Sequence, residues 1–153
     1  MQQFIMLVGI AGSGKSTYAQ ELKNNNPEFI ILSSDDIRQE IYGDASIQDN
    51  PGKVFSIMNR RTFDALKDGK SVVYDATNLS SKRRKEMVDK IKQLGIDCHC
   101  DCHIMPTEPD VCIERQQKRD RKVPEEVIQK QYQYFRNDPV TWDEGWNLIY
   151  YAY

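Results

Sequence analysis

Five short runs of residues typical of strands recur along the chain, and stretches with helical spacing of apolar positions separate them. The runs have the length of buried strands and lie at residues 4–8, 29–32, 71–74, 98–105 and 147–153. The stretches between them predict helices at 16–22, in a short segment ending at 42, at 54–66, from 80 or 81 to 94, at 109–119 and at 125–135. This alternation predicts an α/β fold with a mostly parallel five-stranded sheet, right-handed crossovers and helices on both faces.

Turn-forming residues mark where several of these elements end. Gly43 and Gly95 follow predicted helices as stops, and residues 24–27 break the first helix. Residues 43–53 show no periodicity and are rich in Asp, Asn, Gly and Pro, which predicts a loop. This loop separates the short helix that ends at 42 from the longer helix that follows it.

Length and composition indicate one domain of ordinary size. The chain has 153 residues, of which 39% are hydrophobic, enough to bury a core over residues 1–153. The formal net charge is −2, so no overall basic field attracts a polynucleotide, and any contact with one would be local. No run reaches 18 apolar residues, and the first ten residues lack the basic start and cleavage site of a signal peptide. We therefore expect a cytoplasmic protein with no membrane partner.

Residues 9–17, the phosphate loop, match the pattern G-x-x-x-x-G-K-[ST]. The loop lies between a predicted strand and a predicted helix, which argues against a mere glycine turn beside an exposed lysine. Glycines let successive backbone N–H groups and the helix N-terminus surround a phosphate, while the lysine supplies a mobile charge. The hydroxyl of Ser16 is the expected Mg²⁺ ligand. The residues predicted to bind ATP or another nucleoside triphosphate are Gly12, Ser13, Gly14, Lys15, Ser16 and Thr17.

Two acidic positions follow predicted strands at the edge of the sheet where open α/β folds bind ligands. Asp35 follows the second strand, and Arg38, three residues later, lies on the same side of a helical turn. Asp75 follows the third strand. A carboxylate there suits Mg²⁺ held through water, or the orientation of Ser16 and Lys15. The sequence therefore predicts acidic and basic side chains beside the phosphate loop.

Cations cluster in two places on the predicted helices. The two helices within residues 108–136, which we call the lid segment, are joined by a short basic loop at 120–124 and resemble a lid. Within it, Arg115 and Arg119 are four residues apart and are predicted to share one helix face. Residues 82–85 place four cations in a first helical turn, against the helix dipole. They are either solvated or face something anionic.

A structural metal is one interpretation of the cysteines and histidines around the fourth predicted strand, which are Cys98, His99, Cys100, Cys102, His103 and Cys112. A strand would place the first three thiols on one face and both imidazoles on the other. None of the usual zinc spacings is present. Reduced cysteines on a buried strand are therefore the expectation, with a metal site as the alternative.

Four segments together resemble the 5′-hydroxyl kinase domain of phage polynucleotide kinase and its P-loop kinase relatives. They are the phosphate loop, Asp-Asp-Ile-Arg-Gln at 35–39, Thr-Asn-Leu at 77–79 with Arg83 and Arg84, and the stretch 115–119 ahead of Val123 and Pro124. The resemblance extends from the first strand to Phe135. Many nucleotide-binding proteins share the phosphate loop, whereas the second and third segments are much more specific. The resemblance implies a single-domain P-loop kinase fold with a helical lid.

The resemblance also implies a role for each matching residue. Asp35 corresponds to the general base that takes the proton from the attacking 5′-hydroxyl, Arg38 to a residue that positions the acceptor, and Arg119 to the lid arginine on the ATP phosphates. The implied sets are catalytic Asp35, Lys15, Arg38 and Arg119, ATP-binding Arg115 and Arg119 beside the phosphate loop, and acceptor-binding Asp35, Arg38, Thr77 and Val123. The implied metal positions are Ser16 and, through water, Asp75.

The chain departs from the phage enzyme at three points. Ala76 separates Asp75 from Thr77, where the phage enzyme has its acid directly before Thr-Asn. Ser34 stands where the phage enzyme has an arginine, which removes one contact to a nucleic acid acceptor. The lid segment before Val123 is one residue shorter. These departures bear on the acceptor more than on the reaction.

The leading hypothesis is ATP- and Mg²⁺-dependent transfer of the γ-phosphate to the 5′-hydroxyl end of RNA or DNA, with a separate phosphatase or ligase as a candidate partner. The first alternative is a kinase of the same fold that phosphorylates a small hydroxylated acceptor, such as a nucleoside, a sugar or an antibiotic. A third hypothesis is a nucleotide-binding regulatory module that transfers no phosphate. Asp35 and Arg38 favour the two kinase hypotheses, because an acid and a base there serve an acceptor better than a switch.

Overall fold

A computed structural model describes residues 1–119 and 123–153, and these contain five strands and six α-helices. The strands are β1 (Gln2–Val8), β2 (Ile30–Ser33), β3 (Val72–Asp75), β4 (Cys98–Ile104) and β5 (Leu148–Tyr151). The helices are α1 (Lys15–Asn25), α2 (Ser34–Tyr42), α3 (Pro51–Lys67), α4 (Ser81–Gln93), α5 (Pro109–Gln117) and α6 (Glu125–Asn137), and a 3₁₀ turn at Trp142–Glu144 precedes β5. In the described part of the chain, no helix is both long enough and apolar enough to cross a membrane.

The five strands form one parallel sheet in the order β2-β3-β1-β4-β5. The central strand β1 pairs with β3 from Phe4 opposite Val72, and with β4 along its whole length. Such a strand is covered on both faces, which accounts for its continuous apolar run. Phe4 and Met6 pack with α3 and α4 on one face, while Ile5 and Leu7 pack with α1 on the other. The predicted α/β fold with helices on both faces is confirmed.

The neighbouring strands β1 and β3 define the place where this sheet can bind a ligand. The helix that follows β1 packs on one face of the sheet, and the helix that follows β3 packs on the opposite face. The two connections therefore diverge at the carboxyl ends of these strands and leave a crevice between them. The phosphate loop lies at the end of β1, and Asp75 is the last residue of β3.

Two predicted boundaries were wrong, each for a local reason. α3 begins at Pro51, inside the predicted loop at 43–53, because Asn50 adopts a positive φ of 44° and its side chain accepts a hydrogen bond from Lys53 N at 3.2 Å. α5 ends at Gln117 rather than Arg119, where the backbone tightens into i to i+3 hydrogen bonds. Arg119 therefore lies beyond the helix and does not share a helix face with Arg115. Residues 120–122 of the predicted lid loop lie outside the described residues.

The cysteines of β4 pack in the core as free thiols. Cys100 and Cys102 are buried on the face that packs with α3 and α4, and no disulfide joins the four described cysteines. Burial raises the pKa of the Cys102 thiol, so that group stays protonated at neutral pH. His103 lies on the other face and contacts the rings of Tyr18 and Tyr150. The predicted alternation of thiols and imidazoles across the strand is confirmed.

A buried ion pair joins the start of α4 to the turn before β5. Arg84 and Glu144 are 1% and 3% exposed, and the Nε of Arg84 lies 2.8 Å from the Oε1 of Glu144. Arg84 also donates to the carbonyls of Asn78 and Asp138, both at 2.9 Å. Glu144 accepts further hydrogen bonds from Trp146 Nε1 and from the backbone N of Thr141. Four segments of chain therefore meet at this satisfied pair: the loop at Asn78, α4, the stretch at Asp138 and the turn at 141–146.

This pair shows which of the four cations at 82–85 faces an anion. Arg84 faces an anion in the interior, whereas Lys85 makes an exposed ion pair with Asp89 at 3.1 Å. Lys82 and Arg83 are exposed. Of the four cations, Arg84 is therefore structural, and the other three are exposed to solvent.

Replacing Arg84 by methionine should lower the free energy of unfolding by about 3–5 kcal/mol, because Glu144 would remain buried without a counter-charge. Urea denaturation measures this loss. Lys85→Met is the matched control, since it breaks an exposed pair on the same helix and should cost less than about 1 kcal/mol. The double variant Arg84→Met, Glu144→Leu should recover part of the loss. Equal denaturation midpoints for Arg84→Met and Lys85→Met would contradict the assignment.

Stability should also depend on pH through His103, which is 8% exposed with its Nδ1 2.6 Å from the hydroxyl of Tyr18. Burial lowers the pKa of His103, and Asp101 offsets this only in part. An unfolded histidine titrates near about 6.5, so below that pH the unfolded chain binds a proton that the folded chain does not. The contribution of His103 to the free energy of unfolding is therefore complete above about pH 6.5. It decreases as the pH falls, with a slope of up to about 1.4 kcal/mol per pH unit.

Urea midpoints between about pH 5 and pH 8 test this slope. His103→Gln should flatten it, whereas His99→Gln, which changes the exposed histidine of the same strand, should leave it in place. If both variants keep the slope of the unaltered chain, another group causes it.

Candidate active site

The phosphate loop ends in a helix terminus that has no cap of its own. Gly12 and Gly14 have φ values of 80° and 99°, a region that side chains other than glycine rarely adopt. Gly14 is the N-cap of α1, and the first turn contains no acidic residue and has no capping side chain from the part of the chain that the structure describes. The first N–H groups of a helix lack intrahelical acceptors, and the helix dipole makes this end positive. The predicted strand, loop and helix therefore form an anion-binding site.

Lys15 and Ser16 are part of the phosphate loop and lie close to Asp75 at the end of β3. The Ser16 hydroxyl donates to Asp75 Oδ2 at 3.1 Å, and Lys15 Nζ donates to the carbonyl of Ile10 at 2.9 Å. Burial lowers the pKa of Lys15, while the charges of Asp75 and Asp35 act in the opposite direction. Burial likewise raises the pKa of Asp75, opposed by Lys15 and by the hydrogen bond from Ser16. These groups are thus close enough to influence one another's ionisation.

Asp35 and Arg38 lie on the first and second turns of α2, beyond the end of β2. The helix begins there because Ser33 accepts a hydrogen bond from Asp36 N, and it ends at Gly43, as predicted. Arg38 Nη1 is 3.5 Å from Asp35 Oδ1, and their side chains are 8% and 46% exposed. The guanidinium carbon of Arg38 lies 6.0 Å from the centre of the Phe55 ring, a cation–π contact.

Arg38 differs from an ordinary buried arginine in one respect. Its Nε is buried and has no hydrogen-bond partner in the described part of the chain. A buried donor without an acceptor is costly, and a charged one more so. The guanidinium of Arg38 therefore has hydrogen-bonding capacity beside Asp35 that the described residues leave unused.

The predicted lid arginines lie on the phosphate loop side of the site. Arg115 Nη1 donates to the carbonyl of Gly12 at 3.0 Å. Arg119 is exposed and close enough to Lys15 for its charge to lower that residue's pKa. Both arginines therefore border the donor site, although Arg119 does so from the turn after α5.

Thr77 and Val123, the other predicted acceptor contacts, have different surroundings. The Thr77 carbonyl accepts a hydrogen bond from Gly9 N at 3.1 Å, which attaches the loop after β3 to the start of the phosphate loop. Val123 packs with Ile10 and Ile128 in an apolar cluster between the lid segment and the phosphate loop. The contact of either residue with an acceptor stays a prediction.

Asn78 fixes the loop that carries Thr77. It adopts a positive φ of 52°, and its amide Nδ2 donates to the carbonyl of Leu7 at 2.6 Å and to that of Ala76 at 3.1 Å. The Asn78 carbonyl in turn accepts from Arg84. The Thr-Asn-Leu segment therefore links β1 to the buried ion pair of α4.

Sequence reasoning missed several residues that hold the site in place. Glu144 could have been found, because Thr141-Trp-Asp-Glu144 has the capping-box spacing that the 3₁₀ turn adopts. Thr107 and Gln131, which bond to the phosphate loop, carry no local signal. Gln131 is 120 positions from its partner, and only the fold brings such residues together.

The oxygen atoms beside Lys15 are suitable ligands for a magnesium ion that enters with the phosphates of a nucleotide. Ser16 offers a hydroxyl and Asp75 a carboxylate, the oxygen ligands that Mg²⁺ prefers, and Mg²⁺ usually takes only one or two such side chains. No group of three or more His, Cys, Asp or Glu side chains within residues 1–119 and 123–153 is arranged to hold a metal ion. This donor set is thus suited to an ion that phosphates and water also coordinate.

Comparison with known sequences gives a family match over most of the chain. The model of a family described as AAA domain matches residues 4–137. A proposed bifunctional polynucleotide kinase/RNA ligase of Autographa californica nuclear polyhedrosis virus is 29% identical over an alignment of 152 residues. That alignment covers 88% of this chain and 21% of the viral protein. The chain therefore spans about a fifth of the length of this curated relative.

Solved structures share the fold at low sequence identity. A chain of the Pnkp1/Rnl/Hen1 RNA repair complex has a TM-score of 0.78 and 21% identity, over 90% of this chain and 45% of that one. A gluconokinase from Sinorhizobium meliloti 1021 has a TM-score of 0.60 and 17% identity, over 98% of this chain and 81% of that one. At these identities the likeness shows the fold alone. The same fold thus occurs in an RNA repair complex and in a gluconokinase.

Proposed function

The chain belongs to the AAA domain family of P-loop kinases, and from that premise we propose that it transfers the γ-phosphate of ATP to the 5′-hydroxyl end of RNA or DNA. The donor of a P-loop kinase is a nucleoside triphosphate, whose phosphates suit the N-terminus of α1 and Lys15. Arg115 and Arg119 approach the same phosphates from the lid segment. Ser16 and Asp75 would hold the Mg²⁺ ion, which supplies charge neutralisation when bound.

The observation that carries the choice of acceptor is the pairing of Asp35 with a buried Arg38 whose Nε has no partner among the described residues. A hydroxyl acceptor needs a carboxylate near its proton. A buried guanidinium with a vacant donor suits an acceptor that carries a negative charge close to that hydroxyl. A nucleotide at the 5′ end of a strand has this combination, because its 3′-phosphate lies near the 5′-hydroxyl. A neutral sugar does not.

The proposed reaction needs few steps from the protein. The 5′-oxygen attacks the γ-phosphorus, its proton passes to Asp35, the bond to the β-phosphate oxygen breaks, and ADP leaves. Lys15 and the lid arginines stabilise the charge on the transferring group and the leaving group. Arg38 holds the acceptor in line with the donor.

An RNA ligase or a phosphatase is the class of partner that this chemistry fits. A ligase consumes a 5′-phosphate, and a phosphatase prepares the opposite end of a broken strand. The name of the viral relative joins a polynucleotide kinase to an RNA ligase, and one structure of this fold belongs to an RNA repair complex. We therefore place the proposed activity in the repair of nucleic acid ends.

A kinase for a small hydroxylated acceptor is the second candidate. It is favoured by the gluconokinase that shares the fold over most of both chains, and by Ser34, which stands where the phage enzyme has an arginine. The two candidates share the donor site and differ in whether the acceptor supplies a negative charge to Arg38.

Asp35→Asn should lower the rate of phosphoryl transfer to a 5′-hydroxyl oligonucleotide by about 10²- to 10⁴-fold, because a carboxamide cannot take the proton. ATP binding should stay unchanged, since Asp35 lies on the acceptor side. Transfer of labelled γ-phosphate and equilibrium binding of ATP measure the two effects.

Asp36→Asn is the matched control for this prediction. It removes an exposed carboxylate from the next position of the same helix turn, and transfer should stay within a few fold of that of the unaltered chain. Equal rates for Asp35→Asn and Asp36→Asn would show that Asp35 is not the base.

A further inference from the structure

Three consecutive residues of the phosphate loop are bonded to three different parts of the chain around the lid segment. Each bond uses a backbone atom of the loop and a side chain at the far partner. The pairs are Ala11 N with Gln131 Oε1 at 2.8 Å, Gly12 O with Arg115 Nη1 at 3.0 Å, and Ser13 O with Thr107 Oγ1 at 2.8 Å. The loop's backbone is thus held from outside by α6, by α5 and by the segment before α5.

Close packing supports the same connection. A Cβ atom at Gly12 would lie 2.9 Å from the carbonyl oxygen of Cys112, so the backbone of α5 contacts the loop directly. Gln116, 3% exposed, has its Nε2 3.1 Å from the same point, and its Oε1 accepts from Val123 N. Ile10, Cys112 and Ile128 form the apolar cluster beneath these bonds. The lid segment therefore cannot move away from the loop as a body without breaking several contacts.

The bond from Gln131 acts on one particular peptide group. The N–H of Ala11 and the carbonyl of Ile10 belong to the same planar unit. That N–H donates to Gln131, while the carbonyl accepts from Lys15 Nζ at 2.9 Å and from Ser13 N at 3.1 Å. If the acceptor at Gln131 is lost, only the two bonds to the carbonyl still hold this peptide. Any rotation of the peptide moves the carbonyl that holds the Lys15 ammonium.

We propose that Gln131 is a positioning residue for the donor phosphates, which it sets through the Ile10 to Ala11 peptide and Lys15. It links the geometry of α6 to that of the phosphate loop, so the lid segment and the donor site respond to nucleotide together. The proposal rests on the nucleotide-binding part of the proposed function. It does not depend on the identity of the acceptor.

The chain offers closely matched variants for a test. Gln131→Met keeps the length of the side chain and removes the acceptor oxygen. Gln129→Met and Gln133→Met make the same change at two exposed positions of the same helix, two residues to either side. Only the first variant should leave the Ala11 N–H without its partner.

Equilibrium binding of ADP and of ATP to the whole chain is the first measurement. Gln131→Met should weaken both by about tenfold, because the Ile10 to Ala11 peptide and Lys15 must then be ordered by the phosphates, at a cost on the scale of one hydrogen bond. The KM for ATP should rise by the same factor, while the KM for the acceptor should stay unchanged. Both control variants, Gln129→Met and Gln133→Met, should bind ADP and ATP as tightly as the unaltered chain. Unaltered ADP affinity in Gln131→Met would overturn the proposal.

A second measurement covers the case in which Gln131→Met does not fold. In the unaltered chain, ADP should slow amide hydrogen exchange in the segment 9–17 and in α6 together, because a coupling between two sites is reciprocal. Slower exchange in 9–17 with no change in α6 would overturn the proposal. An unaltered chain that binds no nucleotide at all would contradict the proposed function itself, and this proposal with it.

Discussion

The first turn of α1 is the constraint around which the candidate site is arranged, because its backbone N–H groups have neither an intrahelical acceptor nor a capping side chain. Two glycines with positive φ let the chain reverse directly before this turn and approach an anion closely. Because β1 is the central strand, the loop at its end lies at the centre of the sheet edge. On the same edge, β3 ends at Asp75, and β2 is followed by Asp35 on the first turn of α2. An anion at the helix end therefore meets Lys15 and, beyond it, two carboxylates.

Two buried arginines illustrate how the same side chain serves structure and function differently. Arg84 is surrounded by acceptors: each of its three guanidinium nitrogens donates to Glu144 or to a backbone carbonyl. Within residues 1–119 and 123–153, Arg38 has an ion pair with Asp35 at 3.5 Å, an aromatic ring beside it and no partner for its buried Nε. A fully satisfied cation stabilises the fold around it. An incompletely satisfied one beside a carboxylate is better explained by a ligand that completes it, and this contrast supports the acceptor role proposed for Arg38.

The sequence predicted those features that short-range patterns determine. The strand patterns located five strands, most clearly the central strand β1, because a strand buried on both faces of a parallel sheet carries a continuous apolar run. The phosphate-loop pattern indicated the P-loop kinase family. Ser33 and Gly43 bound α2 as cap signals predict. Arg119 left its predicted helix because the backbone tightens at Lys118, and α3 gained a turn from the cap at Asn50. The sequence could not predict the roles of Gln131 and Thr107, because their contacts with the phosphate loop exist only once distant segments have packed against it.

The central claim is that the acceptor is the 5′-hydroxyl end of a nucleic acid, and one assay tests it most directly. Labelled γ-phosphate from ATP is offered, with Mg²⁺, to 5′-hydroxyl oligoribonucleotides and oligodeoxynucleotides, nucleoside 3′-monophosphates, unphosphorylated nucleosides and sugars. The account predicts label on the oligonucleotides and on the 3′-monophosphates, since these present a negative charge to Arg38 beside the hydroxyl, and none on oligonucleotides whose 5′ end already carries a phosphate. Label on neutral nucleosides or sugars alone would contradict it.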